Sequence, residues 1–486
     1  MTSLVVYLVV LLLFSAGTFL HGRVVKQSLL LAASYLFYAT WGIGFLVVLV
    51  ASSVINFVLG AWLRHKPTTA RLWAGIVINV SLLSFFKYLP VLASGDFFQR
   101  IVMPVGMSFW TFQALSYLFD IYREEEVAPS LLEFCLYMGL WPTVVMGPVC
   151  RLPNLLPQFR ETAGFSRDDV SAGLHRIGTG LFMKLILAQL LGSALSAGSE
   201  FGGGFDEIGR NWGGLDVWLL AIGFGFQLFF DFAGYSHIVI GTARLFGLRL
   251  AENFDSPYLS STPSVFWTKW HMSLSSWIRD YVFIPAATVR RGTSWRYFVL
   301  LVSMVLFGLW HGGRVTFILW GAYHGVFLVL HRSFQQLQRR FNLNLNHNLG
   351  GLLSWLVTFL GISLGWVLFR ANDLRQAVAM FGAIFSPATY LQMKLPGSYY
   401  RLLLALVSGY FAYNLVIESD YLANIKERLF ATGDRSNSDV VPRFVRFCWV
   451  NRVWWLAPMI GTLIVFAGLM VLFQSSGVTP FIYTLF

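Results

Sequence analysis

Apolar runs of about 20 residues recur along the chain, and short polar loops separate them. Each run is long enough to cross a hydrocarbon core of roughly 30 Å as a helix. A soluble chain of this length would instead show polar faces at helical or strand spacing. The pattern predicts an all-α polytopic membrane protein with about 11 transmembrane helices. The candidate spans are 3–20, 28–41 with 43–63, 72–92, 102–119, 131–150, 174–197, 215–233, 236–247, 297–310, 314–331, 352–369, 401–417 and 453–473.

Proline and glycine interrupt two of these apolar segments, at 103–106 and at 141–148. Broken backbone persists at membrane depth only where its freed polar groups face protein or a water-filled cavity. We therefore expect re-entrant or kinked elements around an internal chamber. The insertion 249–296 is rich in Trp, Arg and His yet amphipathic, which predicts short helices in the membrane interface.

Composition supports the membrane class. Of the 486 residues, 56% are apolar and 12% are charged, which excludes soluble globular, disordered and collagen-like chains. The three cysteines are scattered and predict neither a disulfide framework nor a metal site. The formal charge of +12 comes from basic residues in short loops, a pattern typical of cytoplasmic loops. No basic stripe with interleaved aromatic residues is present, so we expect no nucleic-acid partner.

The basic loops also predict the orientation of the chain. Residues 23–26 and 64–71 carry the first basic clusters, which would be cytoplasmic and make 27–63 a tight hairpin. The first apolar run lacks a basic leader and a cleavage site, so we expect a retained span. We predict one membrane-embedded domain over 1–486, with core motifs at about 30–370, C-terminal helices at 371–473 and an aromatic tail at 474–486 on the outer face.

One histidine stands in the middle of an apolar helix. His324 has no charged residue nearby, and Trp320 and Tyr323 precede it by four residues and one residue, close to one helical face. Gly321 and Gly325 thin this helix, so a substrate or a neighbouring backbone could approach the ring closely. Intramembrane ionisable groups are costly and call for a functional hypothesis.

His324 has three possible roles. A buried histidine is often a hydrogen-bonded structural residue. Burial also disfavours the charged form, and a neutral imidazole accepts a proton from a hydroxyl, as a general base in acyl transfer must. A metal site is the third possibility, but His311 lies 13 residues before His324, roughly 20 Å along a continuous helix.

The segment 266–281 contains a second histidine, His271, among aromatic residues. The plain interpretation is an interfacial helix anchored by Trp267 and Trp277, with Arg279 and Asp280 solvated. The functional alternative is that His271 donates a hydrogen bond to a developing oxyanion or a thioester carbonyl.

A third polar group consists of Gln227, Asp231 and Tyr235, which repeat every four residues along one face of an apolar segment. We interpret these residues as structural polar contacts between helices.

Several motifs occur in the order found in one known family. The chain resembles the membrane-bound O-acyltransferases, in particular the bacterial branch that acetylates alginate and related exopolysaccharides, with teichoic-acid D-alanylation transferases as more distant relatives. The motifs that carry the resemblance are Trp270–Tyr281, Asp231–Ser236, Met103–Phe109, Leu309–Gly312 and Trp320–Gly325.

The resemblance implies an architecture and roles for individual residues. It implies a ring of helices around a funnel or tunnel that joins a cytoplasmic donor entrance to an opposite acceptor entrance. His324 would be the catalytic histidine and His271 the second histidine. Lining or supporting residues would be Trp310, His311, Trp320, Tyr323, Asp231, Tyr235, Arg279 and Asp280.

The donor would be a cytoplasmic thioester, with acetyl-CoA expected, entering on the side of Arg290 and Arg291. No permanently bound cofactor is expected. The C-terminal pattern Phe-x-Tyr-x-x-Phe is similar to the tail of the small partner protein in D-alanylation systems, so Tyr483 is a candidate acyl carrier. Interfacial anchoring by the aromatic tail is the alternative.

The predicted function is O-acetylation of an extracytoplasmic polysaccharide from the bacterial inner membrane. The expected partners are membrane lipid, a hydrolase-like acetyltransferase of the SGNH class outside the membrane, and polysaccharide synthesis machinery. A transporter or flippase would also explain broken helices with intramembrane polar residues. A lipid or protein hydroxyl as acceptor stays open as well.

Overall fold

The computed structural model of the protein describes residues 22–92, 96–125, 128–161, 167–195, 205, 213–341 and 347–418. The chain divides into two compact units, Val6–Leu403 and a second unit made of Met1–Val5 and Leu404–Phe486. Of the second unit, the described residues are 404–418, which are helical. All contacts discussed below lie within the first unit. The single-domain organisation stays a prediction.

The described residues form helices, turns and irregular segments and contain no strand, which confirms the all-α prediction. The N-terminal helices are α1 (Arg23–Ala39), α2 (Ile43–His65), α3 (Thr69–Lys87), α4 (Met107–Tyr122), α5 (Leu131–Gly139), α6 (Trp141–Val144), α7 (Leu152–Arg160) and α8 (Arg167–Phe182). A π-helical turn, Met183–Ala188, continues α8 into α9 (Gln189–Leu195).

The second half begins with the long helix α10 (Gly214–Leu245). Short helices follow in the insertion after it, namely α11 (Pro263–Lys269), α12 (Met272–Ile278), a π-helical turn (Arg279–Phe283) and α13 (Ile284–Thr288). The remaining helices are α14 (Thr293–His311), α15 (Val315–Phe341), α16 (His347–Arg370), α17 (Leu374–Phe385) and α18 (Gly397–Glu418).

Six helices in the described part of the chain are long and apolar enough to cross a membrane. They are Ile43–His65, Thr69–Lys87, Asp168–Leu195, Gly214–Leu245, Thr293–His311 and Gly350–Arg370. The protein is therefore a multi-pass membrane protein, as the sequence predicts. The total of about 11 crossings and the closed ring of helices stay predictions.

One predicted boundary is wrong. The sequence predicts separate spans at 215–233 and 236–247, whereas α10 runs unbroken for 32 residues from Gly214 to Leu245. Gly234 does not break the helix but faces Gly180 of α8, and a methyl group on either glycine would overlap the backbone of the other helix. Small residues at this crossing let two membrane helices pack backbone to backbone.

The proline- and glycine-rich breaks are non-helical or form single turns, and each accepts or donates a hydrogen bond with a side chain of α1. The Tyr38 hydroxyl donates to the carbonyl oxygen of Val105 at 2.6 Å. The backbone N–H of Trp141 donates to the Ser34 hydroxyl at 3.0 Å. Both contacts join these breaks to α1, as expected for irregular backbone that lies inside protein at membrane depth.

Basic and acidic side chains connect the helix ends on one side of the molecule, here called the basic face. Arg23 at the start of α1 contacts Glu133, and Arg123 after α4 donates to the backbone of Asp280 at 2.6 Å. At the opposite ends of the helices, the Tyr88 hydroxyl after α3 donates to the carbonyl oxygen of Leu309 at 2.8 Å. The basic face corresponds to the predicted cytoplasmic side.

Candidate active site

His324 lies near the middle of α15 and is fully buried, with 0% of its surface exposed. A methyl group on Gly321 would overlap the carbonyl oxygen of Met304 on α14. Because Gly321 has no side chain, the backbone of α14 can pack directly against this face of α15. On α16, a methyl group on Gly365 would overlap Nε2 of His324. The imidazole therefore occupies space that any larger residue at position 365 would fill.

Aromatic rings surround this imidazole. The ring centre of His324 lies 5.0 Å from Trp320, 5.2 Å from Tyr323 and 5.2 Å from Trp267. The Tyr323 hydroxyl donates to the carbonyl oxygen of Gly361 at 2.7 Å, which ties α15 to α16. Trp267 comes from α11, so the short helices of the insertion reach the membrane-embedded histidine.

Four buried polar atoms at this position have no hydrogen-bond partner among the described residues. They are both ring nitrogens of His324 and the indole N–H groups of Trp267 and Trp320. An unsatisfied buried donor or acceptor costs about 1–3 kcal/mol. Other side chains in the described part of the chain also have such buried atoms, Nε2 of His331 among them. What distinguishes His324 is that both of its ring nitrogens are without a partner and that two unpaired indole N–H groups belong to rings in contact with it. The catalytic role of His324 stays a prediction.

The second histidine, His271, immediately precedes α12 and has a φ of 43°, in the left-handed region that residues other than glycine rarely adopt. Backbone strain of this kind clusters at functional sites. The side chain is 2% exposed. Its Nδ1 lies 2.9 Å from Oδ1 of Asn253, and its Nε2 has no hydrogen-bond partner in the described residues.

The network around Asn253 determines which ring nitrogen of His271 carries the proton. The backbone N–H of Val149 donates to the Ser273 hydroxyl at 2.9 Å, and that hydroxyl donates to Asn253 Oδ1 at 2.8 Å. The amide nitrogen of Asn253 donates to the Ser236 hydroxyl at 3.0 Å. Because Oδ1 accepts, Nδ1 of His271 is the protonated nitrogen and Nε2 presents a lone pair.

This tautomer bears on the expected role of His271. A neutral ring with the proton on Nδ1 accepts a hydrogen bond at Nε2 and donates none there. Stabilisation of an oxyanion by Nε2 would require the charged ring, which burial disfavours. The geometry therefore favours His271 as a hydrogen-bond acceptor.

A continuous series of ring contacts links the two histidines. The ring-centre distances are 6.4 Å for His271–Trp310, 4.7 Å for Trp310–His311, 5.3 Å for His311–Trp320 and 5.0 Å for Trp320–His324. The structure thus brings together the histidines and aromatic residues that the sequence selects.

Asp231 and Tyr235 on α10 belong to a different cluster. Lys184, in the π-helical turn between α8 and α9, forms an ion pair with Asp231 at 2.5 Å and lies 5.9 Å from the ring centre of Tyr235. Lys184 was not a candidate from the sequence, and it gives the predicted polar contact between helices a charged partner.

Arg279 and Asp280 are paired rather than separately solvated. Asp280 accepts from Arg279 at 2.7 Å and from Arg151 at 2.7 Å. Burial alone would raise the pKa of the Asp280 carboxyl, but the hydrogen bonds from Arg279 and Arg151 outweigh it and lower the pKa. This carboxylate is therefore a fixed anion that holds two arginines on the basic face.

The remaining predicted site residues lie elsewhere. Arg290 and Arg291 are exposed, and the Arg290 guanidinium lies 5.0 Å from the ring centre of Trp295. Tyr483 lies outside the described residues. Among the described residues, no group of three or more His, Cys, Asp or Glu side chains could hold a metal ion.

Sequence reasoning assigns Trp267 and Trp277 to an interfacial belt, and the structure corrects this. Trp267 is 8% exposed and contacts His324, and Trp277 is 4% exposed and donates to the carbonyl oxygen of Phe112 at 3.0 Å. Aromatic residues at this spacing fit a belt and a buried core equally well, because both environments take an apolar ring with one polar atom.

Comparison with known proteins identifies the family of the chain. The model of the membrane-bound O-acyltransferase family matches residues 96–369, a range that includes His271 and His324. The chain belongs to the membrane-bound O-acyltransferase family. A second family, of unknown function, matches residues 438–486.

The relatives place this O-acyltransferase in the branch that contains the alginate O-acetylases. It is 35% identical over 386 residues to a protein named probable alginate O-acetylase from Pseudomonas putida, covering 76% of each chain. It is 31% identical over 388 residues to the peptidoglycan O-acetyltransferase of Helicobacter pylori, covering 72% of each chain. A teichoic acid D-alanyltransferase from Bacillus subtilis is 27% identical over 334 residues, or 64% of this chain and 80% of that one. The protein is an O-acetyltransferase, and the transporter alternative is set aside.

Proposed function

We propose that this O-acetyltransferase takes an acetyl group from a thioester on the basic, cytoplasmic face and delivers it to the opposite face of the bacterial inner membrane. The final acceptor is a hydroxyl of an extracytoplasmic polysaccharide. The similarity to alginate and peptidoglycan O-acetyltransferases supports a polysaccharide acceptor. The observation that carries the proposal is the fully buried His324, whose two ring nitrogens have no hydrogen-bond partner among the described residues.

In the reaction, neutral His324 accepts the proton of the acceptor hydroxyl as its oxygen attacks the thioester carbonyl carbon. The tetrahedral intermediate collapses, the carbon–sulfur bond breaks, and the thiolate takes the proton back from His324 and leaves as a thiol. The products are an O-acetyl ester and a free thiol, so no external acid or base is consumed. Trp267 and Trp320 contact this ring and offer free indole N–H donors, which would stabilise the oxyanion.

His271 supports this step as a hydrogen-bond acceptor and does not itself receive the acetyl group. Asn253 holds the proton on Nδ1, so the Nε2 lone pair orients the incoming hydroxyl or the amide groups of the thioester arm. This role replaces the donation to an oxyanion that the sequence suggests.

The C-terminal segment adds a relay to the proposal. Tyr483 would receive the acetyl group first and pass it to a hydrolase-like acetyltransferase of the SGNH class outside the membrane. A separate family match over 438–486 supports treating this segment as a module distinct from the catalytic core. A Tyr483→Phe variant should lose polysaccharide acetylation while its expression is retained, and unchanged acetylation would exclude the relay.

The central experiment measures acetyl transfer from labelled acetyl-CoA by the purified protein in detergent. His324→Gln should lower turnover by at least about 100-fold, the usual contribution of a general base. The matched control is His331→Gln, because His331 lies two turns further along the same helix and the proposed mechanism does not use it. Wild-type turnover in His324→Gln would contradict the proposal.

A further inference from the structure

The segment 281–372 contains arginines but neither Asp nor Glu. Two of its arginines, Arg314 and Arg370, lie at the end of the molecule opposite the basic face, where α15 begins and α16 ends. The others lie on the basic face, where α13 ends, α14 begins and α15 ends. We call them the arginine surface, which consists of Arg290, Arg291, Arg296, Arg332, Arg339 and Arg340.

The arginine surface carries positive charge that the protein does not neutralise. None of its guanidinium groups forms an ion pair with any residue that the structure describes. Elsewhere on the basic face, by contrast, Glu133 pairs with Arg160, and Asp169 pairs with Arg244. Positive charges gathered without carboxylates attract an external anion.

The end of α15 extends beyond the start of α14, with which it packs antiparallel. A methyl group on Gly325 would overlap Leu301, so these two residues face each other. Because α14 begins at Thr293, α15 reaches the level of that residue at about residue 333 and continues to Phe341, roughly 12 Å further. The 27 residues of α15 span about 40 Å, more than a hydrocarbon core of roughly 30 Å. Its last turns therefore lie at the level of the lipid headgroups.

These last turns of α15 are amphipathic. Large apolar residues recur along one face at a spacing of four and three, and each is half exposed or more, namely Leu330, Phe334, Leu337 and Phe341. Arg332, Arg339 and Arg340 are offset from this face by about a quarter to half a turn. A helix with such faces inserts its apolar side between headgroups and acyl chains, and its basic side attracts anionic lipid.

Contacts bring the ends of the three helices together. The Arg332 guanidinium lies 5.7 Å from the ring centre of Phe283, in the π-helical turn before α13. The indole N–H of Trp295 in α14 donates to the carbonyl oxygen of Ala286 in α13 at 2.9 Å, and Arg290 lies over the Trp295 ring. Tryptophan is typical of the membrane interface, which agrees with the depth inferred for the end of α15.

We propose that the arginine surface binds the phosphodiester headgroups of anionic phospholipids in the leaflet on the basic face. Clusters of four to eight basic residues next to a membrane helix are typical of anionic lipid recognition. Arginine forks match phosphate oxygens in a bidentate geometry. The exposed apolar face of α15 favours a lipid over a soluble phosphate, because acyl chains cover that face. A soluble phosphate-bearing donor, which the sequence suggests for Arg290 and Arg291, is the alternative that the test separates.

The test is native mass spectrometry of the full chain in detergent, with phosphatidylglycerol, phosphatidylcholine or coenzyme A added. The wild type should bind phosphatidylglycerol at least about fivefold more tightly than phosphatidylcholine, the contribution of one arginine near an anionic surface. The variant Arg332→Gln/Arg339→Gln/Arg340→Gln should lose most of this preference. Lysine at the same three positions should retain it, because the positive charge is kept.

The matched control removes three exposed arginines from the opposite face, in the variant Arg314→Gln/Arg375→Gln/Arg401→Gln, and should keep the preference. The proposal is overturned if the wild type shows no preference, if the two glutamine variants behave alike, or if the lysine variant loses as much as its glutamine counterpart. It is also overturned if the α15 glutamine variant loses coenzyme A binding and keeps its preference for phosphatidylglycerol. Lipid binding is measured without acetyl transfer, so the result does not depend on the proposed function.

Discussion

His324 can serve as a base only if its ring stays neutral and correctly placed, and its immediate neighbours control both properties. Complete burial disfavours the charged ring. Gly365 on α16 provides the space that Nε2 occupies, while Trp267 and Trp320 enclose the ring. A change in one of these neighbours should therefore alter catalysis without touching the histidine.

The most direct such change is Gly365→Ala. The added methyl group would overlap Nε2 of His324 and displace the imidazole. A displacement of about 1 Å costs on the order of 100-fold in rate, so we expect kcat for acetyl transfer to fall by that amount. Gly351→Ala on the same helix is the control, because nothing lies within 4 Å of a methyl group there. Equal kcat values in the two variants would contradict this placement of the ring.

Asn253 acts through His271, so its removal has a specific signature. Asn253→Ala removes the acceptor for Nδ1, and we expect kcat to fall by roughly tenfold, the value of one lost hydrogen bond. Asn253→Asp retains an acceptor oxygen and should recover most of this loss. The ¹⁵N chemical shifts of the His271 ring should report a proton on Nδ1 in the wild type and in Asn253→Asp. If both variants lose activity equally and the shifts do not change, Asn253 has only a structural role.

A candidate site residue can be predicted from the sequence when its chemistry is unusual for the segment in which it lies. His324 is conspicuous because an ionisable group inside an apolar helix is rare. Asn253 and Gly365 are not conspicuous, since each is common in its local context and becomes informative only through a contact with a residue distant along the chain. Trp267 illustrates a third case, in which a buried contact and a membrane belt have the same local pattern.

Helix boundaries were predicted correctly where proline or glycine interrupts the helix. They were predicted less well where packing against another helix determines whether the helix continues. Proline and glycine at 103–106 and 141–148 interrupt helices as expected, because these residues remove a donor or weaken the helix regardless of context. The sequence predicted separate spans at 215–233 and 236–247, but α10 continues through this point, where Gly234 packs against Gly180 of α8. The partner of Gly234 lies on α8, so the sequence of α10 alone does not show that this glycine is a packing residue.

The ion pair between Lys184 and Asp231 should stabilise the α8–α10 crossing rather than take part in the reaction. Lys184→Met leaves Asp231 without its ion-pair partner in a partly buried position, which should lower the thermal stability of the protein relative to the wild type. The double variant Lys184→Met/Asp231→Leu removes both charges and should recover most of that loss, with near wild-type acetyl transfer. Thermal unfolding in detergent and an activity assay measure the two effects. Loss of transfer in a stable double variant would assign a functional role to this pair.

The described residues of the first unit combine a basic face with a buried candidate reaction centre. The basic face was predicted because charge along the chain needs no knowledge of packing. A pocket lined by Arg151, Arg249 and Arg279 was not predicted, since its residues come from three separate segments. Such a pocket exists only after the chain has folded.

The closure of the site has a consequence for turnover. His324 has no exposed surface, and aromatic rings form its surroundings. If His324 is the base, we expect these rings to move before donor and acceptor can reach the imidazole. Enclosure of this kind would keep water from hydrolysing a thioester donor.

The central claim is that one buried imidazole, acting as a general base, catalyses the transfer of an acetyl group from a donor at one face of the membrane to an acceptor at the other. Oriented proteoliposomes test it directly, with labelled acetyl-CoA supplied at the basic face and alginate oligosaccharides enclosed on the other side. Wild-type protein and His331→Gln should accumulate ester-bound label on the enclosed oligosaccharides or on the protein at that face, and His324→Gln should accumulate none. Equal accumulation with His324→Gln, or ester formed only on the donor side, would contradict the claim.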